Sequence, residues 1–302
     1  MRICLENDVW SAEIDSFGAE LKSLIRKQDS QEFLWEADPA YWGKTSPILF
    51  PFIGKLEGEC YRYQGATYQM TKHGFARDKD YKITVQETDR VVLSIEDDEQ
   101  TLEKYPFPFL LEVEYRLLEN GIAERWHLHN TGDETMYFSM GGHPAFACPL
   151  IKNGVRTGRR TDCAVKVYGI TGDKLQSSAI DMNTGLLSGE GCIVETKQGA
   201  FPIVEHMFDK DALVIESQGV TAVGLLDENG VEYARVEAPD CPVWGIWSMP
   251  TSDASYICIE PWWGICDRAG YEGTLEERPY TNRLERGKVW TTGFDIILDK
   301  SV

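Results

Sequence analysis

The stretch Leu111-Glu112-Val113-Glu114-Tyr115-Arg116-Leu117, followed by Asn120-Gly121 and then by Ile122-Ala123-Glu124-Arg125-Trp126-His127-Leu128-His129, decides the fold class. Apolar and charged residues alternate through the first segment, the period-two pattern of a strand with one buried face. Asn-Gly is a favoured two-residue hairpin turn, because its central positions need positive φ. The second segment alternates again, so the two read as a β-hairpin. Working outward, Asn229-Gly230 separates residues 222–226 from 231–236, and Thr88-Asp89 separates 81–86 from 90–95, which gives two further hairpins. Residues 290–298 read as a closing strand. Short helices are predicted over 39–42 and 209–213, and no long amphipathic stripe exists. Residues 151–200, polar and glycine-containing, read as long loops. With 27 glycines and 13 prolines punctuating short strands, the expectation is an all-β chain, a large β-sandwich forming one domain over residues 1–302.

Composition narrows the function. The 302 residues carry 49 acids against 30 Lys and Arg, a formal net charge of −19. Neutralising phosphates needs basic surface, so nucleic acid is excluded as a general partner, and an anionic membrane surface is disfavoured for the same reason. The apolar runs near residues 48–53 and 105–111 are too short to span a bilayer and contain proline. Acids appear too early at the N-terminus for a secretory signal, so the expected address is cytoplasmic. The eight cysteines are scattered without any C-x-x-C spacing, which favours reduced thiols over disulfides or a zinc ribbon.

Several residues are candidates for chemistry. His73 and His143 are both flanked by glycine, in Lys72-His73-Gly74-Phe75-Ala76-Arg77 and Gly141-Gly142-His143-Pro144, where a backbone approaches a ligand closely. Each alone is more often a structural histidine. His127 and His129 share one strand face, a pattern that binds metals but is read here as a polar face, so no metal is expected. His206 has no supporting context. Glu260, in Cys258-Ile259-Glu260-Pro261-Trp262-Trp263, is a carboxylate among apolar neighbours. It is either ion-paired or a general base whose proton affinity burial has raised. Trp244, Trp247, Trp262 and Trp263 would suit the C–H faces of a sugar, or a core cluster equally well. Lys55 and Arg77 could hold an anion, or simply be solvated. No G-x-S-x-G, H-E-x-x-H or P-loop is present.

Four segments in order carry a resemblance: Ser46-Pro47-Ile48-Leu49-Phe50-Pro51-Phe52-Ile53-Gly54-Lys55-Leu56, His73-Gly74-Phe75-Ala76-Arg77-Asp78, Gly141-Gly142-His143-Pro144-Ala145-Phe146 and Ile259-Glu260-Pro261-Trp262. Together they resemble the aldose 1-epimerase, or galactose mutarotase-like, family over nearly the whole chain. The resemblance implies a β-supersandwich and interconversion of α and β anomers of an aldose with no metal or organic cofactor. It implies Glu260 as general base, His143 as general acid and His73 as a second histidine that positions the sugar. Asp209 in His206-Met207-Phe208-Asp209-Lys210-Asp211 takes the sugar-binding aspartate role, or Asp211 if the register slips. After His73 the chain has Gly-Phe-Ala-Arg where galactose mutarotases have two glycines. That form resembles divergent branches, including hexose-6-phosphate mutarotases, in which this arginine helps hold phosphate; Arg77, with Lys55 as helper, therefore points to a sugar phosphate. The expected partner is a small aldose or sugar phosphate, and the expected state a monomer or homodimer. A catalytically silent carbohydrate-binding protein is the second class. A glycoside hydrolase using Glu260 and Asp209 is a weaker third that leaves the histidines unexplained.

Overall fold

The alternation around Asn120-Gly121 produces the longest hairpin of the chain. In the computed structural model, which describes residues 1–152, 155–216, 218–251 and 253–299, strands Phe109–Leu118 and Gly121–Asn130 pair antiparallel with Leu111 opposite Leu128 and Val113 opposite Trp126. Leu111, Val113, Tyr115, Trp126 and Leu128 are fully buried, while Glu112 and His127 face each other on the outer side. His129 Nε2 lies 2.9 Å from Glu112 Oε2 and His127 Nδ1 lies 3.1 Å from Thr291 Oγ1. The two histidines thus have separate partners on a polar face.

This hairpin belongs to a nine-stranded antiparallel sheet. Its order is Ala200–Pro202, Ala164–Tyr168, Ala222–Leu226, Glu232–Glu237, Val289–Leu298, Gly121–Asn130, Phe109–Leu118, Arg90–Glu96 and Lys82–Gln86. The hairpins expected at Asn229-Gly230 and Thr88-Asp89 are both in it. A second, eight-stranded sheet runs from Leu187–Glu195 through Lys174–Ile180, Leu213–Glu216, Val243–Trp247, Tyr256–Trp263 and Met140–Gly142 to Ile48–Leu49, with Ala145–Ala147 also on Tyr256–Trp263. The N-terminal strands from Arg2 to Glu32 form a four-stranded meander. Side chains of all three sheets, from Ile3 to Leu298, meet in one buried cluster. Tyr115 ties two of them together, its hydroxyl donating to Ala19 O at 2.8 Å. The architecture is an all-β sandwich.

The structure differs from expectation in the short elements. Residues 39–41 and 205–210 form turns, not helices. Asp38 accepts from Ala40 N–H at 2.9 Å and Gly43 follows, which limits the first to a single turn. A positive φ of 62° at Asp211 ends the second. The α-helix among the described residues is Glu99–Lys104, capped by Asp98, which accepts from Thr101 N–H at 2.7 Å. Within 151–200, the strands Ala164–Tyr168, Lys174–Ile180 and Leu187–Glu195, with the two-residue strands Ile151–Lys152 and Val155–Arg156, stand where loops were expected. Leu187–Glu195 lies at a sheet edge and is mostly exposed, so it shows little apolar patterning. No helix among the described residues is long and apolar enough to cross a membrane.

Candidate active site

Strand Tyr256–Trp263 is buried along its whole length. Burial suits its Ile, Cys and Trp residues, and it carries Glu260 with them into the interior at 1% exposure. Two short strands lie along the same side of it. Gly141 pairs with Trp262, and Ala145 pairs with Cys258. The register is continuous across the gap between them, which sets His143 opposite Glu260. Gly142 and Pro144 flank the gap, and Ile259 N–H donates to Pro144 O at 3.0 Å. His143 Nε2 lies 3.1 Å from Glu260 Oε2, and that oxygen makes no directional hydrogen bond within the protein.

His73 arrives from a separate loop. It and Gly74 have φ of 68° and 72°, so the main chain turns sharply. A Cβ at Gly74 would collide with the Phe50 carbonyl, hence glycine there. His73 N–H donates to Gly54 O at 2.8 Å, and Gly54 N–H donates to His73 Nδ1 at 3.1 Å. The second bond makes Nδ1 an acceptor, so in neutral His73 the proton sits on Nε2. The His73 and His143 rings meet edge to face at 5.9 Å. Trp42 stacks on His143 at 4.8 Å and Trp247 meets it edge-on at 5.9 Å.

These groups line one cavity of about 300 Å³, with Lys72, Arg77, Asp211, Trp262 and Cys266 also on its wall. A pyranose fits that volume. Burial pushes the Glu260 carboxyl well above the usual range, repulsion from Asp211 adds to it, and Lys72 acts in the opposite sense. Burial pushes His143 well below its usual range, partly opposed by its own main chain, with repulsion from Lys72 and Arg77 adding to the fall. His73 moves the same way, first from burial and then from Lys72, His143 and Arg77. Both members of the Glu260–His143 pair are thus driven toward their neutral forms. Donor atoms of His143, Cys258 and Glu260 approach one another within 4.8 Å. Burial holds the Cys258 thiol far above its usual range, which opposes the thiolate a metal would need, so no metal centre is read from them.

Of the residues predicted from sequence, Glu260, His143, His73 and Arg77 come together here. Asp209 does not: it is exposed and pairs with His206 at 2.8 Å, and Asp211, the slipped register, lines the cavity instead. Lys55 is a second correction. Its Nζ is turned to Glu59 at 3.3 Å and it is not on the cavity wall. Of the four tryptophans, Trp247 and Trp262 line the cavity, while Trp244 is buried in the main core with its Nε1 donating to Val220 O at 3.2 Å. Trp42, Lys72 and Cys266 were missed. Lys72 precedes His73 in a quoted segment and was legible as a cation beside it; Trp42 and Cys266 gave no local signal. A slightly larger cavity of about 330 Å³ lies around Tyr61, Tyr271 and Arg278. Its buried Arg278 is already paired with Asp267 at 2.6 Å, and no histidine lines it.

Residues 1–164 match the family model described as aldose 1-epimerase. The chain belongs to the aldose 1-epimerase family. The galactose mutarotase related enzyme from Lactobacillus acidophilus is 31% identical with a TM-score of 0.91, over 100% of this chain and 98% of that one. A galactose mutarotase-like protein from Lactobacillus casei is 28% identical with a TM-score of 0.89, over 99% of this chain and 100% of that one. Protein LacX of Lactococcus lactis is 28% identical over 94% of this chain and 95% of its own length. The aldose 1-epimerase model spans His73, Arg77 and His143 and stops short of Asp211 and Glu260, a stretch that the full-length relatives cover.

Proposed function

We propose that the protein is an aldose mutarotase, an isomerase that interconverts α and β anomers by opening and reclosing the ring. The observation that carries this reading is the buried His143–Glu260 pair, 3.1 Å apart, on the wall of a sugar-sized cavity. Ring opening needs one proton removed from the anomeric hydroxyl and one delivered to the ring oxygen. Glu260, as carboxylate, takes the O1 proton, and His143, as imidazolium, protonates O5 as the C1–O5 bond breaks. Rotation about C1–C2 turns the other carbonyl face toward the hydroxyl, and closure returns both protons. These roles need the carboxylate–imidazolium form of the pair, which burial disfavours in the protein alone. His73 Nε2–H, Asp211 and Arg77 hold the hydroxyls, and Trp42 and Trp247 offer apolar faces to the ring's C–H groups.

A phosphorylated hexose is the favoured form of substrate, because Lys72 and Arg77 stand on the cavity wall, with Lys72 Nζ 4.0 Å from Asp211 and Arg77 Nε without a hydrogen-bond partner. The catalytically silent carbohydrate-binding protein stays as the alternative, and a matched acid and base argue against it, since binding alone needs neither. Polarimetry on freshly dissolved α-glucose, with anomer-resolved NMR on hexose 6-phosphates, tests the reading. Accelerated relaxation to the same equilibrium is expected. Glu260→Gln should keep sugar binding and lose at least ~100-fold in turnover. A variant with wild-type turnover would refute the assignment of Glu260.

A further inference from the structure

Trp262 Nε1–H is a buried donor without an acceptor in the protein. It stands on the wall of the cavity, and ring opening by Glu260 and His143 gives it no task. Leaving a buried N–H unpaired is costly, so such a group calls for a partner supplied from outside the chain. The indole is fixed from both sides. Trp262 is 3% exposed, its main-chain N–H donates to Cys241 Sγ at 3.1 Å, and its ring fills slots left by two glycines. A Cβ at Gly141 would stand 2.9 Å from Cδ1, and one at Gly245 would stand 2.5 Å from Cζ2 and 3.1 Å from Cε2. Nε1 is bonded to Cδ1 and Cε2, so its N–H edge is held between the two contacts.

Glu260 and Trp262 are two residues apart on one strand and share its face. Trp262 acts on the Glu260 carboxyl in the sense that favours the anion, yet the two make no directional hydrogen bond. The strands give the wall an order. Tyr256–Trp263 has Val243–Trp247 on one side and Met140–Gly142 with Ala145–Ala147 on the other. His143 meets Glu260 from the second side. On the first side Gly245 is the ladder partner of Glu260, and the benzo edge of Trp262 lies against it. The order across the sheet is His143, Glu260, Trp262. On a pyranose with O5 at His143 and O1 at Glu260, the next oxygen in that direction is the one on C2. We propose that Trp262 is a specificity-determining residue whose Nε1–H donates to the 2-hydroxyl of the sugar, so that the cavity selects aldoses oxygenated at C2. The proposal deepens the mutarotase reading and rests on it for the pose of the ring.

The test deletes either partner of that bond. Mutarotation of glucose and 2-deoxyglucose, and of their 6-phosphates, is followed by anomer-resolved NMR with blank rates subtracted. The wild-type protein is compared with Trp262→Phe, which keeps a ring in the slot and removes the N–H. The substitution should lower kcat/KM for the 2-hydroxy sugar about fivefold or more relative to its 2-deoxy counterpart, the effect of one hydrogen bond left unmade. Taking the ratio cancels the different intrinsic reactivities of the two sugars. An equal fall for both would put the N–H in the service of Glu260 and overturns the proposal, as does no fall for either. Independently of turnover and of how well the variant folds, the indole N–H resonance of wild-type Trp262, assigned through its own main chain, should move with the 2-hydroxy sugar and stay with the 2-deoxy one. A resonance that moves alike with both, or with neither, also overturns it. If the resonance distinguishes the sugars while no aldose relaxes faster than the blank, the contact stands and the mutarotase reading falls. If the aldoses relax faster and neither the ratio nor the resonance distinguishes them, the reading stands and the contact falls.

Discussion

Glu124 sits on the core face of the central hairpin at 2% exposure, where the alternation calls for an apolar residue. Trp126 Nε1–H donates to its Oε1 at 2.8 Å, and its Oε2 has no hydrogen bond. Burial pushes its carboxyl up from 4.5 to about 8, against smaller opposing contributions from Trp126 and Tyr115. The sign follows from linkage. Below pH 4.5 the group is neutral whether the chain is folded or not. Between 4.5 and about 8 the unfolded chain releases the proton and the folded one keeps it, so folding weakens by about 1.4 kcal/mol per pH unit. The cost reaches about 3 kcal/mol at pH 7 and levels off near 5 kcal/mol above pH 8. Glu124→Gln keeps the acceptor for Trp126 and abolishes the titration. Its stability relative to wild type, from urea unfolding followed by tryptophan fluorescence, should therefore rise by about 3 kcal/mol between pH 4.5 and 7. A difference that stays constant across that range would refute the reasoning, since any fixed packing cost of glutamine is independent of pH.

Asp211→Asn should raise KM for the sugar by about tenfold, one hydrogen bond to a charged group, whereas Asp209→Asn should leave kinetics unchanged; equal effects would mean that the wall of the cavity has been misassigned. Gly74→Ala should lower activity and stability together, by at least about 1 kcal/mol, because φ is 72° and the new Cβ meets the Phe50 carbonyl; thermal melting and polarimetry on the same sample check it. Lys55→Met should leave KM for hexose 6-phosphate within a factor of about two, as expected for an exposed ion pair, while Arg77→Met raises it; the reverse order would restore Lys55 to the site.

How much of this was legible depended on where each pattern was written. The hairpin was readable because both strands expose one face and bury the other; its turn lies one residue earlier than expected, over Glu119-Asn120, since Gly121 already pairs with Leu118. The strand Leu187–Glu195 was not, since an exposed edge bears no apolar stripe. The helix Glu99–Lys104 is a single capped turn and a half with one apolar residue, Leu102, too short for a periodic pattern to emerge. Glu260 and His143 were nameable from their segments, yet their juxtaposition is a fact of register between strands more than a hundred residues apart in sequence. The choice between Asp209 and Asp211 turns on the positive φ values at His206 and Asp211, which non-glycine residues do not advertise. Lys55 looked basic and well placed, but an acid four residues on, Glu59, claims its ammonium.

Glu260 is carried by a ladder-bonded strand and His143 by the gap between two strands paired to it, while Lys72, Arg77 and Asp211 reach the cavity wall from turns. Insertions and replacements in those loops alter which sugar is admitted without disturbing the register that brings acid and base together. On the proposed function, what the cavity admits is thus free to drift while the pairing of Glu260 with His143 is kept, and loop exchange between relatives is a direct route to redesigning it.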